Sequence, residues 1–210
     1  MSQKISDSTI RRLSVYLRLL EDLEKAGTPT VSSEELARRG GTTAAQIRKD
    51  LSLFGSFGKR GLGYAVAELA SRVRRILGLS GAWRVALVGA GRIGSALFAY
   101  PALASRGFHI VVVVDNDPEK VGTQWGEVRI RPQEELEDAI RSEKVDMAIV
   151  AVPAEAGQSV VDRVVSAGVR GILNFAPTPL QVPRDVWIKD VNLVIEMEAL
   201  SYALSQGGED

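Results

Sequence analysis

The sequence predicts an α/β protein in two parts: a small helical module over residues 1–80, then a mostly parallel sheet over residues 81–210 that ends in a C-terminal helix. Three observations predict it. The first part carries helical apolar stripes separated by glycine stops. In the second, short apolar runs alternate with helical stretches, the pattern of parallel strands joined by right-handed crossovers. The turn Gly89-Ala90-Gly91-Arg92-Ile93-Gly94 joins the first of those runs to the helix after it.

In the first part, Ile10, Leu13, Leu17 and Leu20 recur at helical spacing and form the apolar stripe of an opening helix that stops at Gly27, with Pro29 beyond. A second, short helix starts at Ser32, where Ser32-Ser33-Glu34-Glu35 has the form of a capping box, and ends at Gly40-Gly41. A third begins at Thr43 and buries Ile47 and Leu51 on one side. Two short helices joined by a tight glycine turn match a helix-turn-helix. Ala44, Ala45, Gln46, Arg48, Lys49 and Ser52 then face outward. Small residues allow close approach to a groove, Gln46 can read a base edge, and Arg48 and Lys49 can meet guanine or phosphate. The same pattern also describes a solvated basic helix face.

The segment from Phe54 to Tyr64 holds aromatic residues and glycines around Lys59, Arg60 and Gly61, and reads as a β-hairpin with a basic tip. A helix-turn-helix followed by such a hairpin is a winged helix, whose wing can lay Lys59 and Arg60 on phosphates or into the minor groove. Charge agrees with this. Residues 1–78 carry 14 Lys and Arg against 8 Asp and Glu, while residues 79–210 carry 12 against 18, so a neutral chain has a basic front. A fourth helix, with Val66, Leu69, Val73 and Ile76 at helical spacing, ends at Gly78, and Leu79-Ser80-Gly81 marks the boundary.

In the second part, the strand Arg84–Val88 runs into the glycine-rich turn and then into a helical stretch from Ser95 to Ser105. A GxGxxG between a strand and a helix is the dinucleotide fingerprint of a Rossmann-type, doubly wound parallel sheet. Gly89 allows the tight turn, Gly91 the approach of a pyrophosphate, and Gly94 close packing of helix on strand. The next strand, Ile110–Val114, ends at Asp115, where a carboxylate accepts from ribose hydroxyls and repels a 2′-phosphate. Asp117 adds to that repulsion, so NAD(H) is expected over NADP(H). A helix over Gln133–Ser142, a strand over Val145–Val152, a helix over Ala154–Ala167 and a strand over Arg170–Phe175 continue the alternation. Ligands bind beyond the carboxyl ends of such strands. That points to Val152-Pro153 and to Asn174 with Phe175-Ala176-Pro177 as nicotinamide-side loops, though both segments also read as plain connections.

Several function classes are excluded. The chain has no cysteine and one histidine, His109, so disulfides, thiolate nucleophiles, cysteine-ligated metals, most zinc sites and His-based proton relays cannot be assembled. No apolar run approaches the length that spans a bilayer, and the N-terminus lacks a signal-peptide core, which suggests a cytoplasmic protein. The nucleotide part consumes nearly all the remaining residues, leaving only a final helix near 196–206, and no proton donor stands in a Tyr-x-x-x-Lys arrangement. A nucleotide cradle without evident chemistry suits a sensor better than an enzyme.

With both halves placed, the chain resembles the bacterial redox-sensing repressor family Rex over nearly its whole length. The likeness is carried by Arg48-Lys49-Asp50-Leu51, by Phe54-Gly55-Ser56-Phe57-Gly58 with Arg60-Gly61-Leu62-Gly63-Tyr64, by the glycine turn with Asp115, and by Gly171-Ile172-Leu173-Asn174-Phe175-Ala176-Pro177. The resemblance implies a homodimer that binds palindromic operator DNA, with NADH favouring release and NAD+ permitting repression. It also implies a C-terminal helix that crosses to the partner subunit. It implies that Arg92 lies near the pyrophosphate and that Tyr100 takes part in a switch with Arg18. Relatives complete that switch with an Asp where the likeness aligns Asn192; Asn cannot form the charged pair, and Asp190 is the neighbouring carboxylate.

Two other readings compete: a NAD-dependent oxidoreductase with a basic accessory domain, and a CoA-binding module. Asp115 favours a dinucleotide ribose over CoA, whose 3′-phosphate it would oppose.

Overall fold

The structure, a computed structural model, describes residues 5–55, 57–58 and 63–206. The chain divides into two compact units, Met1–Gly81 and Ala82–Asp210.

The first unit holds α1 (Asp7–Lys25), β1 (Thr30–Val31), α2 (Ser33–Gly40), α3 (Ala44–Ser52), β2 (Tyr64–Ala65) and α4 (Val66–Ile76). Hydroxyl side chains start the first three helices. Ser6, Ser32 and Thr43 accept from the amides of Thr9, Glu35 and Gln46, each such cap contributing about 1 kcal/mol. The capping box at Ser32 is only half formed, because the Glu35 side chain turns to Arg38 and Arg39 instead. Gly41 takes the left-handed conformation that ends α2 and lets α3 start at once. The core gathers Leu13, Tyr16, Leu17, Leu20, Leu23, Leu36, Ile47, Leu51, Leu69 and Val73.

Two expectations change here. Ile10 is exposed, and Thr9 meets the core in the first turn of α1. The stripe is completed instead by Tyr16 and Leu23, which a search for aliphatic spacing passes over. The segment closing the wing also pairs differently: β2 lies antiparallel to β1, Thr30 opposite Ala65 and Val31 opposite Tyr64. Its strand partner thus precedes α2, while a β-carbon on Gly58 would come within 2.6 Å of the Gly63 carbonyl oxygen, so the two arms still run close. The tip residues Lys59, Arg60 and Gly61 lie outside the described residues.

The second unit holds β3 (Trp83–Val88), α5 (Arg92–Phe98), α6 (Pro101–Ser105), β4 (Phe108–Asp115), β5 (Gln124–Trp125) and β6 (Val128–Pro132), then a 3-10 turn (Gln133–Glu135), α7 (Leu136–Ser142), β7 (Met147–Val150), α8 (Ala154–Ser166), β8 (Gly171–Asn174), β9 (Trp187–Asp190) and α9 (Leu193–Gln206). The sheet order is β5-β6-β4-β3-β7-β8-β9. All neighbours are parallel except β5 against β6. Without the short β5, the order in chain sequence is 3-2-1-4-5-6, the doubly wound arrangement whose switch point flanks β3.

Strand alternation sorts side chains onto two faces. Ala86, Val88, Val112, Val114, Ala148 and Val150 meet α7 and α8 on one face. Val85, Leu87, Val113 and Ile149 meet Leu97, Phe98 and Leu103 on the other.

The helical stretch expected over Ser95–Ser105 is two helices. Tyr100 precedes Pro101, and the proline ring disfavours the helical conformation in the residue before it; Tyr100 accordingly takes ψ 104°. β5 and β9 were not foreseen, and neither was β6. The first is two residues long, and the second, Trp187-Ile188-Lys189-Asp190, alternates around charge without a strong apolar signal. The final helix starts at Leu193, three residues before the expected 196, and none of its residues is buried.

Candidate nucleotide cleft and nucleic-acid face

A cleft opens beyond the carboxyl ends of β3, β4 and β7, at the switch point of the sheet. Val88, Gly89, Gly91, Val114, Asp115, Asn116, Lys120, Gln133, Val152 and Pro153 are among its lining residues, and it encloses about 220 Å³. Each fingerprint glycine is needed for its own reason. Gly89 has φ +100°, and a β-carbon there would sit 2.4 Å from the Ala151 carbonyl oxygen. A β-carbon on Gly94 would lie 2.0 Å from the Gly89 carbonyl oxygen, so α5 can pack on the turn only with glycine in place. At Gly91 a β-carbon would meet nothing within 4 Å; that side is open to the cleft. The amides of Arg92 and Ile93 lie in the first turn of α5, where the helix offers them no acceptor. These features fit a pyrophosphate.

Asp115 is 8% exposed at the end of β4. Its Oδ2 accepts the Ala90 amide at 2.6 Å and its Oδ1 the Asp117 amide at 2.8 Å. The carboxylate therefore anchors the glycine turn as well as facing the cleft. Its remaining lone pairs can still accept from a ribose.

The remaining expected residues take different positions. Arg92 and Ile93 are exposed at the start of α5. Asn174 is 1% exposed, its Nδ2 donating to Asp190 Oδ1 at 2.7 Å and its Oδ1 accepting from the Ala176 amide at 2.8 Å. Those bonds tie β8 to β9 and shape the turn after β8, so Asn174 acts on the loop and is not part of the cleft wall. Asp190 is thereby engaged within its own sheet, and Asn192 Oδ1 accepts from the amides of Val194 and Ile195, capping α9. Arg18 and Tyr100 are exposed. Asn116, Lys120 and Gln133 were missed; Lys120 gave a signal, standing three residues after Asp117.

On α3, Arg48, Lys49 and Ser52 are exposed, and Ser52 donates to the Lys49 carbonyl. Arg48 Nη1 donates to Ser33 Oγ at 2.8 Å and pairs with Glu34 at 3.1 Å, which holds it against α2. Ala44 is half-buried against the core and does not face outward as expected. Gln46 also differs: its Nε2 donates to Asp50 Oδ1 at 2.8 Å.

Asp50 is 1% exposed and was not singled out as buried. Its carboxylate accepts from Arg12 Nε at 2.6 Å, Arg12 Nη2 at 2.7 Å and Tyr16 Oη at 2.9 Å. Burial pushes its pKa up, but the bonds from Arg12, Gln46 and Tyr16 prevail and hold it below the ordinary carboxylate range. Burial, and then the bond to Asp50, push the Tyr16 phenol up to about 12. This node fixes the exposed face of α3 on α1 by a forked, charge-assisted pair.

A helix-turn-helix unit with exposed cations, followed in one chain by a dinucleotide-type crevice, is the organisation of a ligand-responsive transcriptional regulator. Residues 4–52 match the family described as "Putative DNA-binding protein N-terminus", and residues 80–178 match "CoA binding domain". The redox-sensing transcriptional repressor Rex of Carboxydothermus hydrogenoformans is 49% identical over 199 residues, 95% of this chain and 96% of the relative. Rex of Streptomyces coelicolor is 44% identical over 201 residues, 96% of this chain and 78% of the relative. A crystal structure of RSP in complex with β-NAD+ and operator DNA matches at TM-score 0.94 and 38% identity, covering 98% of this chain and 94% of that one. RSP with β-NADH matches at TM-score 0.88 and 36% identity, covering 98% and 96%. The chain belongs to the Rex family of redox-sensing transcriptional repressors.

Proposed function

We propose that this chain is a repressor that holds operator DNA through its first unit and releases it when NADH occupies the cleft of the second. The observation that carries this reading is the cleft itself: an open Gly91 and a buried Asp115 meet at the switch point of the sheet. Arg48, Lys49 and the wing residues Lys59 and Arg60 supply cations for phosphates and base edges, while Gln46 keeps an amide oxygen for a base. Gly89, Gly91, Arg92, Ile93 and Gly94 hold the pyrophosphate, and Asp115 accepts from the adenosine ribose. Val152 and Pro153 flank the nicotinamide side.

The acting form is a homodimer. Leu193, Val194, Ile195, Met197, Leu200, Tyr202 and Leu204 of α9 are all more than half exposed, an apolar surface that a lone chain does not leave in water. The same unit carries a matching groove of about 350 Å³ lined by Leu103, Phe108, Ile110, Met147, Leu173 and Trp187. A second copy's α9 suits that groove, which supports the exchanged helix. Arg18, Tyr100, Asp190 and Asn192 belong to the switch in this reading. Asn192 acts there by capping the crossing helix, and Asp190 supplies the charge.

Among the described residues no helix is long and apolar enough to cross a membrane, and no group of His, Cys, Asp or Glu is placed to hold a metal ion. A DNA-bound repressor works in the cytoplasm of a bacterial cell.

A ligand shifts an equilibrium only through different affinities for its two states. NADH must then bind the released form better, and operator DNA must weaken NADH binding by the same factor, about 5- to 150-fold for a coupling of about 1–3 kcal/mol. The test is the NADH dissociation constant with and without saturating operator at fixed salt, beside NAD+ and CoA. Equal NADH constants would reject the reading, and displacement by CoA alone would favour the CoA-binding alternative.

A further inference from the structure

Lys120 stands in the wall of the nucleotide cleft beside the ribose carboxylate. The turn after β4 brings it back there: the Lys120 amide donates to the Asp117 carbonyl at 3.0 Å. Its ammonium lies 3.0 Å from Asp117 Oδ2 and 3.6 Å from Asp115 Oδ1. The ribose corner thus carries two carboxylates and one cation, and its charge is about half what Asp115 and Asp117 alone would give it. An ammonium has three N–H donors. One reaches Asp117 at 3.0 Å, Asp115 at 3.6 Å is an ion-pair partner beyond hydrogen-bond distance, and the side chain stands in the cleft wall with donors left for a ligand.

We propose that Lys120 sets nucleotide choice at this corner, donating to an oxygen on the ribose side and offsetting the repulsion that the two aspartates exert on a ribose phosphate. Discrimination against a 2′-phosphate is then moderate. A compact ammonium gains more from a dianionic phosphate than from a hydroxyl, so its removal harms NADPH more than NADH. A lysine that merely braced the loop would affect both nucleotides alike.

This inference rests on the dinucleotide reading of the cleft, and one calorimetric series on the full-length protein separates the two. NADH and NADPH are titrated into wild type, Lys120→Met and Lys120→Arg. Wild type should bind both, with NADH tighter. Lys120→Met should widen the NADPH-to-NADH ratio of dissociation constants by roughly tenfold, the scale of one charge-assisted hydrogen bond. Lys120→Arg, which keeps the charge, should leave the ratio within about threefold of wild type, less than one such bond is worth. An unchanged ratio in Lys120→Met, or no detectable NADPH binding by wild type, would overturn the role of Lys120 and leave the NAD(H) site standing. Absence of NADH binding by wild type would overturn both.

Discussion

The Asp115 carboxylate accepts the amide of Ala90 at 2.6 Å, joining the end of β4 to the middle of the glycine turn after β3. One buried side chain thereby shapes the pyrophosphate turn and faces the ribose. Asp115→Ala removes both. It should weaken NADH by at least tenfold, and it should cost stability of about 1–3 kcal/mol because the Ala90 amide loses its acceptor in a buried place. Calorimetric titration and urea unfolding check the two effects separately.

Asp50 ties α1 to α3 through partners 34 and 38 positions away in the chain. Arg12→Ala leaves its charge buried with its strongest partner gone, and should destabilise the first unit by about 3–5 kcal/mol. Asp50→Asn should cost less, since the amide keeps an acceptor for Tyr16. Urea midpoints of the three proteins give the order.

The same node predicts both ends of the pH profile. The folded pKa of Asp50 is depressed, so its contribution is present above the ordinary carboxylate range and fades as pH falls through the lowered value. Tyr16 has a raised folded pKa. Its contribution is complete below the ordinary value of 10.0 and is lost as pH climbs towards about 12. Tyr16→Phe should flatten the alkaline limb and shrink the acid one without abolishing it, because Arg12 and Gln46 still hold Asp50 down. Thermal melts across pH at constant ionic strength provide the measurement.

Lys49 is exposed on α3 and is not held by α2 as Arg48 is. Lys49→Ala should weaken operator and random DNA alike and reduce the salt slope of binding by about one. Gln46→Ala should instead relax preference at one base pair, costing about 1–3 kcal/mol against the preferred base. Fluorescence anisotropy over a salt series, with single-base variants of the operator, distinguishes them.

The apolar face of α9 should be the dimer's. Leu200→Glu with Leu204→Glu would place two charges in the proposed groove, and sedimentation should find monomers where wild type gives dimers. Operator affinity should fall with the loss of the second half-site contact. Monomeric wild type would remove α9 from this role.

Local patterns carried much of this protein. The starts of α2 and α3 rest on hydroxyl caps three residues from the amides they serve, and the strand–glycine turn–helix with Asp115 fits within one βαβ unit, so neighbouring residues suffice to read them. Ile10 has the right spacing yet lies outside the core, because spacing gives a face and not how far along it the packing extends. β9 and the two-residue β5 owe their pairing to strands already assembled, and their own residues announce little. Gln46 was legible as a polar residue on a recognition helix, but its bond to Asp50 depends on Arg12 and Tyr16 first packing α1 against α3. Asn174 likewise looked like a loop ligand until Asp190 arrived beside it across the β8–β9 register. Periodicity, caps and motif spacing are properties of consecutive residues, and they were enough to give the two-part architecture, the glycine turn and its carboxylate. Which polar groups are spent inside the fold, and which are left for a ligand, was decided only by tertiary structure, because a buried donor or acceptor takes whatever partner the packed chain brings to it.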